Sequence, residues 1–185
     1  MLEDDMTFYA FHPSPLGDLL LISDGCSLTS LHFHDDKYVP GIAPDWRLDR
    51  DLPIFIATCV QMDEYFAGER RTFELPLLPR GTHFQCRVWG VLREIPYGET
   101  TSYGAMARKL GQPTATRAVG AANGRNPIAV VVPCHRAIGA DGSLTGYAGG
   151  LDRKRALLEL EATMPPLFGA TRLQEPSLHG KSNRT

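Results

Sequence analysis

Residues 117–136 read RAVGAANGRNPIAVVVPCHR, and this stretch carries the clearest signals of local structure and chemistry in the chain. Its small residues predict a helix over 115–123 that Thr114 caps and Gly124 closes. The β-branched run at 128–132 predicts a buried strand. Pro133 lacks an N–H group and would end that strand directly before Cys134. The stretch therefore predicts a helix, a buried strand and a cysteine held at the end of the strand.

Cys134 is followed by His135 and Arg136 and then by a glycine-rich segment over 139–150. Cationic neighbours lower the pKa of a thiol, and a fall of about two units from roughly 8.5 makes the thiolate the main form at neutral pH. This setting predicts a reactive nucleophile, although a buried, inert cysteine remains the alternative. The inert reading is the one we expect for the other three cysteines, Cys26, Cys59 and Cys86.

Two helices with a short turn precede this segment. Thr101 or Ser102 can cap a helix over 103–110 that Gly111 closes, and Gly-Gln-Pro-Thr at 111–114 separates it from the helix over 115–123. The combined length is typical of a helix-turn-helix, whose second helix presents its N-terminal residues to DNA. Tight packing of two helices in a core is the alternative.

The part of the chain that precedes residue 82 is rich in predicted strands. Apolar runs at 8–11, 19–22 and 28–33 predict strands, and a helix begins at Pro53 and stops before Gly68. Six residues of this helix are predicted to fall on two adjoining faces, namely Ile56, Cys59, Val60, Met62, Asp63 and Phe66. A proline-rich stretch at 75–81 predicts a linker. We therefore expect one domain over 1–81, a second over 82–163 and a loosely ordered tail over 164–185.

The second domain is predicted to begin and end with a helix. Thr82 and Gln85 have the spacing of a capping box, and apolar residues continue at helical period through Ile95. At the other end, Asp152 is expected to cap a last helix that runs to about Glu161. The inward residues predicted for that helix are Ala156, Leu157 and Leu160.

Composition is that of an ordinary globular protein, with 185 residues, 43% hydrophobic and 22% charged. No apolar run is long enough for a membrane helix, no secretory signal is apparent, and the four cysteines are scattered, so we expect a cytoplasmic protein with free thiols. Charge is uneven: residues 1–50 hold nine acidic and three basic side chains, whereas 87–136 hold seven basic and two acidic ones. The basic segment predicts a phosphate-facing surface, with an ordinary solvated face as the alternative.

These motifs together resemble the O6-alkylguanine-DNA alkyltransferases. The resemblance rests on 117–136, continues through GSLTGYAGGL at 142–151, and reaches back to FQCRVW at 84–89 and IPYGETTSY at 95–103. Over 1–81 it is weaker and rests on SPLG at 14–17 and the strand pattern. It implies an α/β (α+β) fold, in which an N-terminal ribonuclease-H-like α/β domain precedes a mainly helical C-terminal domain containing a helix-turn-helix.

The resemblance also implies roles. Cys134 would accept the alkyl group, His135 would take its proton through water, Glu161 would orient His135, Asn126 would brace the segment before the cysteine, and Tyr103 would donate to the departing guanine. Arg117 would fill the gap left by a rotated nucleotide. The DNA contacts implied are Thr116, Arg117, Ala118, Ala121, Asn123 and Arg125, and the pocket wall implied is Pro133, Arg136, Thr145, Tyr147, Ala148 and Gly149.

The implied activity is transfer of an alkyl group from O6 of guanine, and O4 of thymine, in double-stranded DNA to Cys134. The base must first leave the stack, and the thioether product would limit each protein to one turnover. No cofactor and no metal are expected, since Cys26, His32 and His34 do not have the spacing of a zinc site, and a monomer is expected. A non-catalytic DNA-binding module and a cysteine hydrolase that uses Cys134, His135 and Glu161 remain the alternatives.

Overall fold

The computed structural model describes residues 6–163, so the expected tail at 164–185 lies outside the described residues. The N-terminal half is a sheet of four strands: β1 (Phe8–His12), β2 (Leu19–Ser23), β3 (Leu28–Phe33) and β4 (Arg47–Leu48). The strand order is β3-β2-β1-β4, in which β1, β2 and β3 pair antiparallel and β4 pairs parallel to β1. Every residue of β2 is buried because the strand lies inside the sheet.

Helix α1 (Pro53–Phe66) follows, with the proline in its first turn as predicted. Its buried face is Ile54, Phe55, Thr58, Gln61, Met62 and Tyr65, so Met62 is the one buried residue among the six predicted to lie on two adjoining faces. Ile56 and Val60 are each 51% exposed. The helix carries apolar residues on several sides, and periodicity alone could not decide which of them packs against the sheet.

The C-terminal half holds four helices, α2 (His83–Arg93), α3 (Tyr103–Lys109), α4 (Thr116–Asn123) and α5 (Leu151–Thr163). The capping box of α2 is confirmed: the Gln85 amide N–H donates to Thr82 Oγ1 at 3.2 Å, and the Thr82 N–H donates to Gln85 Oε1 at 2.8 Å. Ser102 caps α3 through its hydroxyl. Two caps were predicted wrongly, because Ala115 precedes α4 without a side-chain bond and Asp152 lies inside the first turn of α5.

The buried strand predicted at 128–132 is absent, although the segment is buried as expected. Only Ile128 forms a β-bridge, to Leu31, and the chain then turns, with the Val132 N–H donating to the Ile128 carbonyl at 3.0 Å. Val130 has φ 67°, a left-handed conformation that is rare for a β-branched residue. A short 3₁₀ helix, Cys134–Arg136, follows, and then strand β6 (Ala137–Ile138) pairs with β5 (Thr101–Ser102).

The two halves share one hydrophobic core. The segment predicted as a linker lies along the sheet edge, where the Leu28 N–H donates to Pro76 and the Leu78 N–H donates to Leu28. The division of the chain at 81 and 82 stays a prediction. Among the described helices, none combines the length and the apolar character needed to cross a membrane.

Candidate active site

Cys134 begins the 3₁₀ helix and is 5% exposed. Burial raises the pKa of its thiol to about 11, against the opposing effects of a hydrogen bond from Asn126 and the positive charge of Lys154. The expectation that His135 and Arg136 lower this pKa was therefore wrong. Burial lowers the pKa of His135, so its ring is neutral and supplies no positive charge. The guanidinium of Arg136 forms an ion pair with Glu161. The resting thiol is protonated and needs a base before it can react.

Glu161 is the centre of a buried polar network that includes this base. Its side chain is fully buried, and it accepts hydrogen bonds from His135 Nε2 (2.9 Å), from Arg136 Nε (2.9 Å) and Nη2 (2.8 Å), from the Tyr65 hydroxyl (2.8 Å) and from the Gly98 N–H (3.1 Å). Burial alone would raise its pKa, but the bonds from His135 and Arg136 outweigh burial and bring the pKa to about 2. Glu161 is therefore an anion at neutral pH.

That anion fixes the tautomer of His135. A carboxylate can only accept, so the Nε2 atom of His135 carries the proton and Nδ1 is left as an acceptor. Nδ1 is buried and has no hydrogen-bond partner within residues 6–163. The structure thus brings His135 and Glu161 together in the arrangement of an oriented base, directly after Cys134 in the chain.

Asn126 holds the turn that leads to the cysteine. Its Oδ1 accepts from the Ile128 N–H at 3.1 Å, and its Nδ2 donates to the carbonyls of Ile128 (3.2 Å) and Val132 (2.7 Å). These three bonds satisfy backbone groups that a strand would have paired with a neighbour. They also span Val130, so the strained residue lies inside the turn that Asn126 closes.

Lys154 of α5 is a site residue that the sequence analysis missed. It is fully buried, and its ammonium group donates to the carbonyls of Ala137 (2.5 Å) and Thr145 (2.6 Å) and to the Tyr103 hydroxyl (3.3 Å). Tyr103 in turn donates to the Thr145 carbonyl at 2.8 Å. Burial lowers the pKa of Lys154 to about 8, which leaves the side chain mostly cationic at neutral pH. Lys154 contacts no carboxylate in the described chain. Its positive charge acts to lower the pKa of Cys134.

The loop at 145–150 is fastened to the N-terminal half by Arg153. Its guanidinium lies 4.6 Å from the centre of the Phe33 ring and donates to the carbonyls of Leu16 (2.8 Å) and Gly149 (3.2 Å) and to Asp35. The Lys37 N–H adds a bond to Ala148 at 3.3 Å. We call this set of contacts the Arg153 clasp. Two of the predicted pocket residues, Ala148 and Gly149, are held by these contacts, whereas a third, Thr145, is held by Lys154 and Tyr103.

The predicted pocket residues Pro133 and Arg136 are arranged differently. Arg136 binds Glu161 and, through Nη1, the Ile95 carbonyl at 2.6 Å. With Pro133 it lines a cavity of about 270 Å³ that also includes Arg71 and Tyr97 but not Cys134. The structure therefore gives Arg136 a role in the Glu161 network and does not support it as part of the pocket wall.

Helices α3 and α4 carry the predicted DNA-facing surface. Arg117 is exposed at the second position of α4, and the exposed residues expected beside it are Thr116, Ala118, Ala121 and Arg125. Val119 and Ala122 pack inward, and the Ala122 carbonyl accepts from the Trp89 indole at 2.9 Å. Asn123 departs from the expectation: it is 1% exposed, and its amide donates to the Gly146 carbonyl at 3.3 Å. It supports the 145–150 loop and does not face outward.

Comparison with known proteins identifies the family. Residues 83–163 match the model described as 6-O-methylguanine DNA methyltransferase, DNA binding domain, and residues 7–79 match the ribonuclease-like domain of the same methyltransferase. The chain belongs to the 6-O-methylguanine DNA methyltransferase family. The resemblance seen in the sequence is thereby confirmed, as is the mixed α/β fold with an N-terminal sheet and a helical C-terminal part.

Named relatives agree over most of the chain. A methylated-DNA–protein-cysteine methyltransferase of Mycobacterium tuberculosis is 51% identical to this chain, and the match covers 87% of this chain and 96% of the relative. A protein of the same name from Haemophilus influenzae is 46% identical, and the match covers 83% of this chain and 86% of that relative. A crystal structure of the M. tuberculosis O6-methylguanine methyltransferase superposes with a TM-score of 0.80 at 50% identity, covering 88% of this chain and 97% of the other. The M. tuberculosis protein has also been solved in complex with DNA. That structure superposes with a TM-score of 0.79 at 49% identity, covering 86% of this chain and 96% of the other.

The remaining cysteines and histidines do not form a second centre in the described part of this methyltransferase. No group of three or more His, Cys, Asp or Glu side chains within residues 6–163 is arranged to hold a metal ion. Cys26 and Cys86 are exposed, contrary to the expectation that they are buried, and Cys59 is half-buried with a pKa that burial raises to about 11. Neither Cys26 nor Cys86 has a buried base such as the one that follows Cys134.

Proposed function

We propose that this protein repairs alkylated DNA by transferring the alkyl group from O6 of guanine to Sγ of Cys134, once per protein molecule. Family membership supports the repair reaction, and relatives at about 50% identity carry the name of that methyltransferase. The observation that carries the assignment of residues is the buried thiol followed by a neutral histidine that an ionised Glu161 orients.

The reaction begins with the thiol proton. His135 Nδ1, which has no hydrogen bond to a described residue, takes this proton through a water molecule, and the imidazolium that forms is stabilised by Glu161 at 2.9 Å. The Asn126 hydrogen bond and the Lys154 ammonium favour the thiolate, but burial outweighs them and the resting pKa stays near 11, so the thiol needs a base to remove its proton. Base and acceptor thus act in one enclosed site, where these interactions are stronger than in water.

The thiolate then attacks the alkyl carbon. A C–S bond forms, the C–O6 bond breaks, and its electron pair leaves with the guanine, which takes a proton from the Tyr103 hydroxyl. Lys154 donates to that hydroxyl oxygen and stabilises the negative charge that develops there. Water does not cleave the resulting thioether, so one alkyl group consumes one protein.

Delivery of the base requires DNA contacts and extrusion. The outer face of α4 is small at Ala118 and Ala121, so a nucleic-acid backbone can approach it closely, and Arg117 projects from its first turn. The O6 atom of a paired guanine lies within the duplex, so the nucleotide must rotate out before the thiol can reach it, and Arg117 fills the gap. An O4-alkylthymine presents its alkyl carbon in a similar way and is the second substrate that we propose.

The test is intact mass spectrometry after incubation with a duplex that carries O6-methylguanine, followed by peptide mapping. One added methyl on Cys134 is expected, and Cys134→Ser should abolish it. The matched controls Cys26→Ser, Cys59→Ser and Cys86→Ser should still take up the methyl group. Binding without added mass would favour a non-catalytic DNA-binding module, and repeated hydrolysis of an ester would favour a cysteine hydrolase.

A further inference from the structure

A groove lies beside the outer face of α4, and one of its walls comes from the N-terminal half. Its volume is about 500 Å³, and its lining includes Ala118 and Ala121 of α4, Arg125, which follows that helix, and Tyr38, which follows β3. Ala118, Ala121 and Arg125 are exposed. The N-terminal half therefore contributes to the edge of the surface that we assign to DNA.

Tyr38 holds two cations at this edge. The guanidinium carbon of Arg125 lies 4.1 Å from the centre of the Tyr38 ring, and the ammonium nitrogen of Lys37 lies 5.2 Å from the same centre. Both distances are those of a cation–π interaction. We call Lys37, Tyr38 and Arg125 the Tyr38 cluster. One ring thus keeps two positive charges close together, and an anion placed between them would relieve their repulsion.

The two cations are not paired with carboxylates of the described chain. No carboxylate oxygen of residues 6–163 lies within 4.0 Å of the charged nitrogens of Lys37 or Arg125, and the acidic neighbours Asp35 and Asp36 form their ion pairs with Arg153. A guanidinium stacked on a ring keeps the N–H groups at its edge available, and these match phosphate oxygens. The charge and the geometry of the cluster therefore suit phosphate.

The cluster is tied to both parts of the site that receive the substrate. The Lys37 N–H donates to the Ala148 carbonyl of the 145–150 loop at 3.3 Å, and Arg125 directly precedes Asn126, which holds the turn to Cys134. A rotated nucleotide stays joined to a phosphate on each side. A phosphate site next to both the loop and α4 is therefore well placed to hold the strand that carries the lesion.

We propose that the Tyr38 cluster binds backbone phosphates of duplex DNA, so that the N-terminal half takes part in holding the substrate strand. Lys37 and Arg125 each contact a phosphate, and the Tyr38 ring sets their positions. Such contacts position a duplex without reading its sequence. This inference rests on the proposed function in taking DNA as the partner.

The test measures affinity for an undamaged duplex by fluorescence anisotropy at several salt concentrations. Lys37→Gln and Arg125→Gln should each weaken binding by roughly fivefold to tenfold at about 0.1 M salt. Each should also make the plot of log affinity against log salt shallower by about 0.9, the contribution of one phosphate contact. Arg155→Gln is the matched control, since it removes one positive charge from a side chain of α5 that is 58% exposed, and it should keep the parent slope.

A second pair of variants tests the ring. Tyr38→Phe keeps the aromatic face and should bind as the parent does, whereas Tyr38→Ala should weaken binding by about twofold to fivefold, which corresponds to loss of an exposed cation–π contact. Equal binding by these two variants would overturn the inference. So would parent slopes in both Lys37→Gln and Arg125→Gln, or a loss of the same size in Arg155→Gln.

Mass added to Cys134 from a duplex with O6-methylguanine, measured in parallel, reports on the proposed function separately. Transfer by the parent together with unchanged slopes in the variants would overturn the role of the cluster alone. A parent that binds duplex through the cluster but gains no mass would overturn the proposed transfer alone. A parent that does not bind duplex DNA would overturn both.

Discussion

Replacement of Glu161 by glutamine should reduce both stability and activity, because five hydrogen bonds converge on this one carboxylate. Glutamine has the same size and can still accept from Tyr65, but it leaves the guanidinium of Arg136 buried without a counter-charge. Breaking a buried ion pair by removing one partner costs about 3–5 kcal/mol. His135 loses its anchor in the same step.

The pKa of Glu161 gives an independent magnitude. It falls from 4.5 in the unfolded chain to about 2 in the folded protein. At about 1.4 kcal/mol for each unit, the ionised carboxylate contributes roughly 3 kcal/mol to the free energy of unfolding. Because the folded pKa is depressed, this contribution is fully present above pH 4.5 and is lost as the pH falls towards 2.

Urea unfolding of Glu161→Gln beside the parent measures this contribution. The variant should be less stable by about 3 kcal/mol at pH 7, and the gap should be about 1 kcal/mol narrower at pH 4. Glu159→Gln is the matched control, since it lies on the exposed side of the same helix and should cost less than about 0.5 kcal/mol. A Glu161→Gln protein within 1 kcal/mol of the control at pH 7, or a gap independent of pH, would refute the reasoning.

Four further predictions concern the chemistry. His135→Ala should react at least roughly tenfold more slowly at neutral pH and recover as the pH approaches the Cys134 pKa of about 11; an unchanged pH–rate profile would remove the base role. Repair should stop at one lesion per protein, and a steady rate beyond stoichiometry would contradict the thioether product. Arg117→Ala should slow repair of duplex DNA but not reaction with free O6-benzylguanine, and Arg117→Lys should recover only part of the loss; equal slowing on both substrates would indicate a damaged pocket. The parent rate should decline above pH 8 as Lys154 loses its proton, and Lys154→Met should be slow throughout without that decline; a decline kept in the variant would assign it to another group.

The sequence predicted which side chains would lie together at the candidate site but not their protonation states. The motif around Cys134 and the helix predicted through about Glu161 led us to expect that Glu161 orients His135, and the structure brings His135 Nε2 to 2.9 Å from Glu161 Oε1. The pKa of Cys134 was predicted in the wrong direction because adjacency in the chain says nothing about burial. Arg136 is only two residues after Cys134 in the sequence, yet its guanidinium pairs with Glu161.

Two other errors have local causes. The run at 128–132 has the composition of a strand, but the Asn126 side chain satisfies its backbone groups and the segment becomes a buried turn. Lys154 was overlooked because a lysine on a helix is usually solvated. It nevertheless lies three and seven residues before Leu157 and Glu161, and this spacing puts all three on one face of α5. The signal was present in the sequence as two charged residues on the inward side of an amphipathic helix.

The bond from Tyr65 to Glu161 joins residues 96 positions apart, and His135 precedes its anchor by 26. On the ribosome, Cys134 is therefore made before the carboxylate that organises its base, by on the order of a few seconds at about 5–20 residues per second. During that interval the nascent chain carries an unassisted thiol. The order of synthesis thus delays the proposed reactivity until α5 can pack, when nearly all of the fold described for residues 6–163 exists to support the site.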